Sequence, residues 1–208
     1  MSVVPVLKQA KRRIVGDIKR AAKIVGYSDV NWLRVRQIDR WRDFLAERAP
    51  LGDVLEISPG WNEMWRRLPC RSYCAVDYPE FDICRQVLDR SFHIIVADQV
   101  LEHVADPRSA VANIRAMLQP GGCAMIAAPF LFRVHARPND FYRWTEPGMK
   151  KLCVDGGFAA DEVSVESWGN KSCARAHIGG PVRDYGFGRS MKNDPEYPMM
   201  VWAFAERR

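Results

Sequence analysis

The stretch Asp53-Val-Leu-Glu-Ile-Ser-Pro-Gly60 predicts a short buried strand that runs directly into a tight turn. Its apolar residues give way to a serine, a proline and a glycine, which favour turns. In an open parallel α/β sheet, ligands bind at the carboxyl ends of the strands, where a glycine turn lets the backbone approach them. We therefore predict a cofactor site at residues 56–61. The alternative is a glycine that serves packing alone.

The composition indicates one ordinary globular domain. The chain has 208 residues, of which 48% are apolar and 27% charged, and this is enough for one sizeable core. It contains no run of about 18 apolar residues and no apolar segment after the basic N-terminus, so we expect neither a transmembrane segment nor a secretory signal. A cytoplasmic location is expected. The six scattered cysteines are expected to be reduced thiols, without a disulfide frame or a zinc site.

Positive charge is concentrated in the first 25 residues, which hold seven lysines and arginines and a single acid, Asp17. Apolar residues recur there every three or four positions, so the segment is predicted to form an amphipathic helix with a cationic face. Such a face suits a membrane surface, a nucleic acid or an anionic substrate. The other interpretation is a helix that packs on the domain or on a second subunit.

Strands and helices are predicted to alternate through the rest of the chain. Helices are predicted at residues 35–45, 62–68, 107–118 and 145–153, and strands at 53–58, 72–76, 92–97, 123–128, 162–168 and 199–205. We divide the single domain into a helical arm (1–48), a cofactor-binding core (49–168), a glycine-rich cap (169–197) and the last strand (198–208). The stretch between Asp77 and Phe92 is too short for a helix plus a strand. The cap is longer than a compact domain needs, so it is either disordered or functional.

In the order of these motifs, residues 52–168 resemble the class I S-adenosylmethionine-dependent methyltransferases, and in particular the methyltransferase type 11 group. The resemblance rests on the first turn, the strand-end acid Asp77, Glu102-His103-Val104 and Pro120-Gly121-Gly122. A second set of residues resembles a subgroup associated with polysaccharide and glycan biosynthesis, whose members include sugar O-methyltransferases. That set is Pro129-Phe130 followed by His135, Pro138, Asp140, Tyr142, Arg143 and Trp144.

The resemblance implies a Rossmann-like α/β fold, with a seven-stranded, mostly parallel sheet and an antiparallel last strand. It also implies S-adenosylmethionine as cofactor. By motif, the methionine end would lie at Glu56, Ser58 and Gly60, the ribose at Asp77, the adenine at Asp82 and Ile83, and the methyl group near Asp98, Gln99 and His103. Further cofactor-binding residues are expected to be Pro59, Trp61, Tyr78 and Val100. The first glycine that is usual in the turn is replaced by Ser58, and Pro59 stiffens the backbone just after it.

The sulfonium methyl group is already activated, so the protein has mainly to align the acceptor with it. A hydroxyl acceptor must also lose a proton, which requires a base within hydrogen-bond reach. We predict His135 as that base and Asp140 as the group that orients it, with His103 as the second candidate. Substrate contacts are predicted from Tyr142, Arg143, Trp144 and His177. A loop histidine that only caps or stacks, and tryptophans that only pack, are the alternatives.

The function predicted from these residues is O-methylation of a sugar or oligosaccharide hydroxyl. One alternative is an RNA or natural-product methyltransferase that uses the basic arm, although the confinement of positive charge to that arm speaks against nucleic acid. Another is an inactive, cofactor-binding partner subunit. A homodimer is compatible with the N-terminal helices. Asp98, Glu102 or Asp140 would offer oxygen ligands to magnesium, but no spacing demands it, so no metal is predicted.

Overall fold

The computed structural model describes residues 30–60, 65–136, 138–182 and 189–208. The basic segment at the N-terminus and Trp61 lie outside the described residues. The α-helices of the described chain are α1 (Val35–Glu47), α2 (Pro107–Met117), α3 (Glu146–Asp155) and α4 (Lys171–His177). Its strands are β1 (Leu51–Ile57), β2 (Cys70–Val76), β3 (Phe92–Asp98), β4 (Leu118–Pro129), β5 (Val163–Trp168) and β6 (Met200–Glu206). Single 3-10 turns occur at Trp32–Arg34, Trp65–Arg67, Leu101–His103 and Ala160–Glu162.

All of these strands form one sheet in the order β2-β1-β3-β4-β6-β5. The first four are mutually parallel, and β6 is antiparallel to both of its neighbours, β4 and β5. The mostly parallel sheet with an antiparallel last strand is therefore confirmed. The expected count of seven is corrected to six in the described residues. The chain between Asp77 and Phe92 forms turns there, because it is too short to supply another helix and strand.

Two apolar layers cover the sheet, one on each face. Neighbouring residues of a strand point to opposite faces, so Leu55 joins the core beneath α2 and α3, and Val54 joins the core beneath α1. On the α1 face, the ring of Phe44 stacks on that of Phe204 with centroids 4.0 Å apart. Trp41, which is fully buried, packs against Trp65. These contacts hold α1 against this face of the sheet.

The helices of the described segments are all too short or too polar to span a bilayer. The cysteines are free thiols, and Cys123, Cys153 and Cys173 are buried. The predicted glycine-rich cap contains α4, whose side-chain cap is Asn170: its side-chain oxygen accepts a hydrogen bond from the Cys173 N–H at 2.8 Å. Part of this region is thus a regular helix docked on the α1 face of the sheet.

Asp106 caps the N-terminus of α2, because its carboxylate accepts hydrogen bonds from the Ser109 hydroxyl at 2.6 Å and the Ser109 N–H at 3.0 Å. We expect Asp106→Ala to lower the free energy of unfolding by about 1 kcal/mol. The same bonds hold the pKa of Asp106 below its usual value. The contribution is therefore present above the pKa of the unfolded chain and is lost as the pH falls through the lower, folded-state pKa.

Urea denaturation of the wild type and of Asp106→Ala, from neutral pH down into acid, measures this contribution. The difference between the two proteins should shrink as the pH falls. A difference that stays constant over that range would show that the cap does not depend on the charge of Asp106.

Candidate active site

The carboxyl ends of β1 and β3 both turn through a left-handed residue. Ser58 follows β1 with φ 51° and Gln99 follows β3 with φ 65°, and this conformation is one that glycine adopts most easily. Each of these residues donates its backbone N–H to the strand beside it in the sheet. Ser58 donates to the Val76 carbonyl of β2 at 2.8 Å, and Gln99 donates to the Ala127 carbonyl of β4 at 2.9 Å. The serine that stands in place of the usual glycine therefore occupies the position that favours glycine.

Glu56 lies just before this turn and is buried. Its carboxylate accepts a hydrogen bond from the Tyr73 hydroxyl on β2. Burial, together with the nearby charge of Asp98, raises the pKa of Glu56 despite this donor. Glu56 thus links the end of β1 to β2.

Asp98, at the end of β3, is surrounded by donors from α1, from the turn just before α1 and from the Trp65–Arg67 turn. It forms an ion pair with Arg34, accepts a hydrogen bond from the Gln37 side chain at 3.0 Å, and accepts another from the Trp65 indole at 3.2 Å. Gln37 is fully buried. These bonds fasten α1 over the carboxyl edge of the sheet, so the Asp98 carboxylate is engaged by the protein itself.

The residues predicted for the ribose and adenine follow β2. Asp77 directly follows Val76, the last residue paired with β1, so it stands beside the turn at Ser58. Asp82 accepts a hydrogen bond from the Cys84 N–H at 2.9 Å within a turn. The remaining residues of this group differ in exposure: Ile83 is buried, Tyr78 is 62% exposed, Pro59 is half-buried, Gly60 is exposed, and Val100, beyond β3, is buried.

The loop after β4 folds back onto the Leu101–His103 turn. The Phe141 N–H donates to the Glu102 carbonyl at 2.7 Å. The His103 Nδ1 lies 2.5 Å from the Asn139 carbonyl oxygen, so this nitrogen carries the proton and donates it. The imidazoles of His103 and His135 meet edge to face with centroids 4.9 Å apart. Two histidines from distant parts of the sequence are thereby brought into contact.

Asp140 organises this loop. Its carboxylate forms an ion pair with both terminal nitrogens of Arg143 and accepts a hydrogen bond from the backbone N–H of His135 at 2.8 Å. It also lies 3.2 Å from the His135 Nδ1. The Arg143 hydrogen bonds hold the pKa of Asp140 well below its usual range. Asp140 therefore lies as a fixed anion beside the His135 ring.

Glu102 completes the group, although its sequence context indicates no part for it beyond a magnesium oxygen. Its carboxyl is fully buried and forms no hydrogen bond within the described residues. Oε1 of Glu102 lies 3.7 Å from Nε2 of His103 and 3.8 Å from Nε2 of His135. Burial first, and the negative charge of Asp98 as well, raise the pKa of Glu102 to about 8. Together, Glu102, His103 and His135 form the histidine cluster.

Two of the remaining predicted substrate residues, Tyr142 and His177, have partners of their own outside the histidine cluster. The Tyr142 hydroxyl donates to the Ala105 carbonyl at 3.1 Å, and its ring stacks on Trp144 at 5.4 Å. His177 is buried, with its ring nitrogens 2.8 Å from the Cys173 carbonyl and 3.0 Å from the Asn31 side-chain oxygen. Both nitrogens of His177 are thus engaged by groups of the α1 face, and its ring is separated from His135 by Phe132.

Residues 31–154 match a family model described as a methyltransferase domain. The match spans more than half of the 208 residues, so the chain belongs to this methyltransferase family. This confirms the methyltransferase class that the motifs predicted. No protein with a curated description matches the sequence.

Solved methyltransferase structures share the fold. The N-methyltransferase NodS from Bradyrhizobium japonicum, in complex with S-adenosyl-L-homocysteine, is 13% identical with a TM-score of 0.53 over 86% of this chain and 89% of that one. An S-adenosylmethionine-dependent methyltransferase from Clostridium acetobutylicum is 11% identical with a TM-score of 0.52, over 84% and 96%.

A third structure, phosphoethanolamine N-methyltransferase 2 from Haemonchus contortus in complex with S-adenosyl-L-methionine, is 11% identical with a TM-score of 0.51. The match covers 81% of this chain and 53% of that longer one. At these identities the likeness establishes the Rossmann-like methyltransferase fold.

Proposed function

We propose that this chain is an S-adenosylmethionine-dependent methyltransferase that methylates a hydroxyl oxygen of a sugar or oligosaccharide, with His135 as the general base. The observation that carries the proposal is the pairing of Asp140 with the His135 Nδ1 at 3.2 Å. This pairing sits in a loop that touches the residues following β3 at the carboxyl edge of the sheet. Ligands of open α/β sheets bind at that edge.

The end of β1 suits an adenosine cofactor. Ser58 presents a left-handed turn that brings backbone to the surface beside Asp77, and a strand-end acid at this place suits the two hydroxyls of a ribose. Glu56, just before the same turn, is held in place by the Tyr73 hydroxyl. When bound, S-adenosylmethionine supplies a methyl group that is already activated by the sulfonium.

The protein has to supply position, exclusion of water and a place for the proton. Because the Nδ1–H of His135 donates to the Arg133 carbonyl at 3.3 Å, the lone pair of the ring lies on Nε2. As the acceptor oxygen bonds to the methyl carbon and the bond from that carbon to sulfur breaks, the hydroxyl proton passes to this Nε2. Asp140 then stabilises the imidazolium, and Arg143 keeps Asp140 in place.

The surface beside the cluster supports a sugar as acceptor. Phe141 and Tyr142 are 49% and 37% exposed on the loop that carries His135. Exposed aromatic faces of this kind are suited to stacking on the apolar face of a sugar ring. The Phe141 backbone is tied to Glu102, so its position is linked to that of the cluster.

Incubation of the purified protein with methyl-labelled S-adenosylmethionine and an extract of the source cells tests the proposal. The extract is fractionated into oligosaccharide, lipid, RNA, protein and small molecules, and label is expected in the oligosaccharide fraction. Label in RNA or in another fraction would overturn the sugar acceptor. Cofactor binding without transfer to any fraction would favour an inactive subunit.

A further inference from the structure

The buried carboxyl of Glu102 is the least satisfied polar group of the candidate site. It is fully shielded from solvent, and neither of its oxygens has a hydrogen-bond partner within the described residues. Buried polar groups are almost always hydrogen-bonded, and an exception calls for a ligand, an ion or a proton. An ion, a ligand or a proton next to Glu102 would meet this requirement.

The imidazoles of His103 and His135 both point a ring nitrogen without a hydrogen, Nε2, toward this carboxyl. His103 donates its Nδ1–H to the Asn139 carbonyl, and His135 donates its Nδ1–H to the Arg133 carbonyl at 3.3 Å. Each ring therefore keeps its lone pair on Nε2, and these two atoms lie 3.7 Å and 3.8 Å from Oε1 of Glu102. When the Glu102 carboxyl is ionised, three electron-pair donors converge, and their ligand atoms all lie within 4.8 Å of one another.

Two imidazoles and one carboxylate form a donor set that binds divalent transition metals, whereas magnesium and calcium prefer oxygen. Ligating histidines in proteins donate their other ring N–H to a carbonyl or a carboxylate, which fixes the tautomer. The carbonyls of Asn139 and Arg133 fill these two roles here.

We propose that Glu102, His103 and His135 bind a divalent first-row transition-metal cation such as Zn²⁺. The sequence does not reveal the site, because His135 comes 32 positions after His103 and no short-range ligand spacing marks it. Its catalytic consequence, though not the site itself, rests on the proposed function. A cation on Nε2 of His135 occupies the lone pair that would accept the hydroxyl proton, so the metal is an inhibitor of histidine-dependent transfer.

Metal binding is measured on the full-length protein after treatment with a chelator. Zn²⁺ affinity is obtained by calorimetry, and Co²⁺ is added as a spectroscopic probe whose visible absorption reports its ligands. We expect one bound cation for each chain. We also expect an affinity loss of about a hundredfold or more in Glu102→Gln and in His103→Ala, because each removes one of three protein ligands.

His93→Gln is the matched control, because His93 lies at the opposite end of β3 and its Nδ1 accepts the Gly52 N–H at 2.9 Å. Affinity should be unchanged in this variant. Thermal unfolding of each protein verifies that it is folded, and Glu102→Gln keeps the volume of the side chain if His103→Ala fails this check. The proposal is overturned if the wild type binds neither ion, or if Glu102→Gln binds both as tightly as the wild type.

Methyl transfer at saturating Zn²⁺ is the second readout and tests the proposed function separately. A fall of about tenfold or more, reversed by a chelator, supports the metal as an inhibitor. A rate of methyl transfer that rises with the Zn²⁺ concentration would show that His135 is not the base, and the proposed metal site would be unaffected by that result. If no transfer occurs under any condition, the proposed function fails, while the binding experiment still decides whether the cation site exists.

Discussion

His135→Ala is expected to lower the rate of methyl transfer by about two to four orders of magnitude, which is the contribution of a general base. The substitution removes the Nε2 lone pair and leaves Asp140 paired with Arg143, so the loop keeps its main ion pair. The residues predicted to bind the cofactor lie on other segments of the chain, after β1, β2 and β3. Cofactor affinity is therefore expected to be unchanged.

Steady-state rates with saturating acceptor measure the first effect, and calorimetry with S-adenosyl-L-homocysteine measures the second. His93→Gln serves as the histidine control and should transfer methyl groups at the wild-type rate. Asp140→Asn should reduce the rate less than His135→Ala does, because it weakens the orientation of the ring without removing it. Normal turnover by His135→Ala would exclude His135 from the mechanism.

Gly169→Ala is expected to destabilise the fold by about 3 kcal/mol or more, through overpacking against backbone that has no room to move. A Cβ at residue 169 would lie 2.1 Å from the Tyr197 carbonyl oxygen and 2.4 Å from the Met199 nitrogen. That nitrogen donates to the Trp168 carbonyl at 2.9 Å, where β5 and β6 meet. Relief of the clash would pull the two strands apart at this end.

Denaturation in urea gives the loss of stability from the shift in midpoint at constant slope. Gly179→Ala is the matched control, because a Cβ there has no neighbour within 4 Å among the described residues, and its effect should stay within about 0.5 kcal/mol. Equal stabilities of Gly169→Ala and Gly179→Ala would contradict the steric argument.

Local patterns are sufficient to predict the strands of the sheet, because apolar runs and alternation are properties of short segments. Local patterns predict the first residue of a strand less accurately. β4 starts at Leu118 and not at residue 123, since Leu118 already pairs with Phe92 before an irregularity in the register. In the sequence, Pro120-Gly121-Gly122 indicates the end of a helix and a loop after it.

The site is predictable only where its parts are close in sequence. The relation of His135 to Asp140 spans five residues, and the sequence predicts it; the sequence also shows Ser58 as the departure from the usual glycine turn. The contacts of Asp98 with Arg34 and Gln37 span 64 and 61 residues, and no local pattern indicates them. The burial of Glu102 depends in the same way on a loop about 40 residues further along. The homodimer and the cytoplasmic location remain predictions from the sequence.

The position of β6 imposes an order on folding. β6 is the last strand in the sequence but lies between β4 and β5, and within the described sheet it is the sole partner of β5. During synthesis, the backbone hydrogen-bonding groups of β5 therefore have no strand partner until residues 200–206 have been synthesised and have paired with β4 and β5. Exposed strand edges of this kind promote association between chains. The nascent protein is accordingly expected to depend on chaperones over the interval between the synthesis of β5 and that of β6.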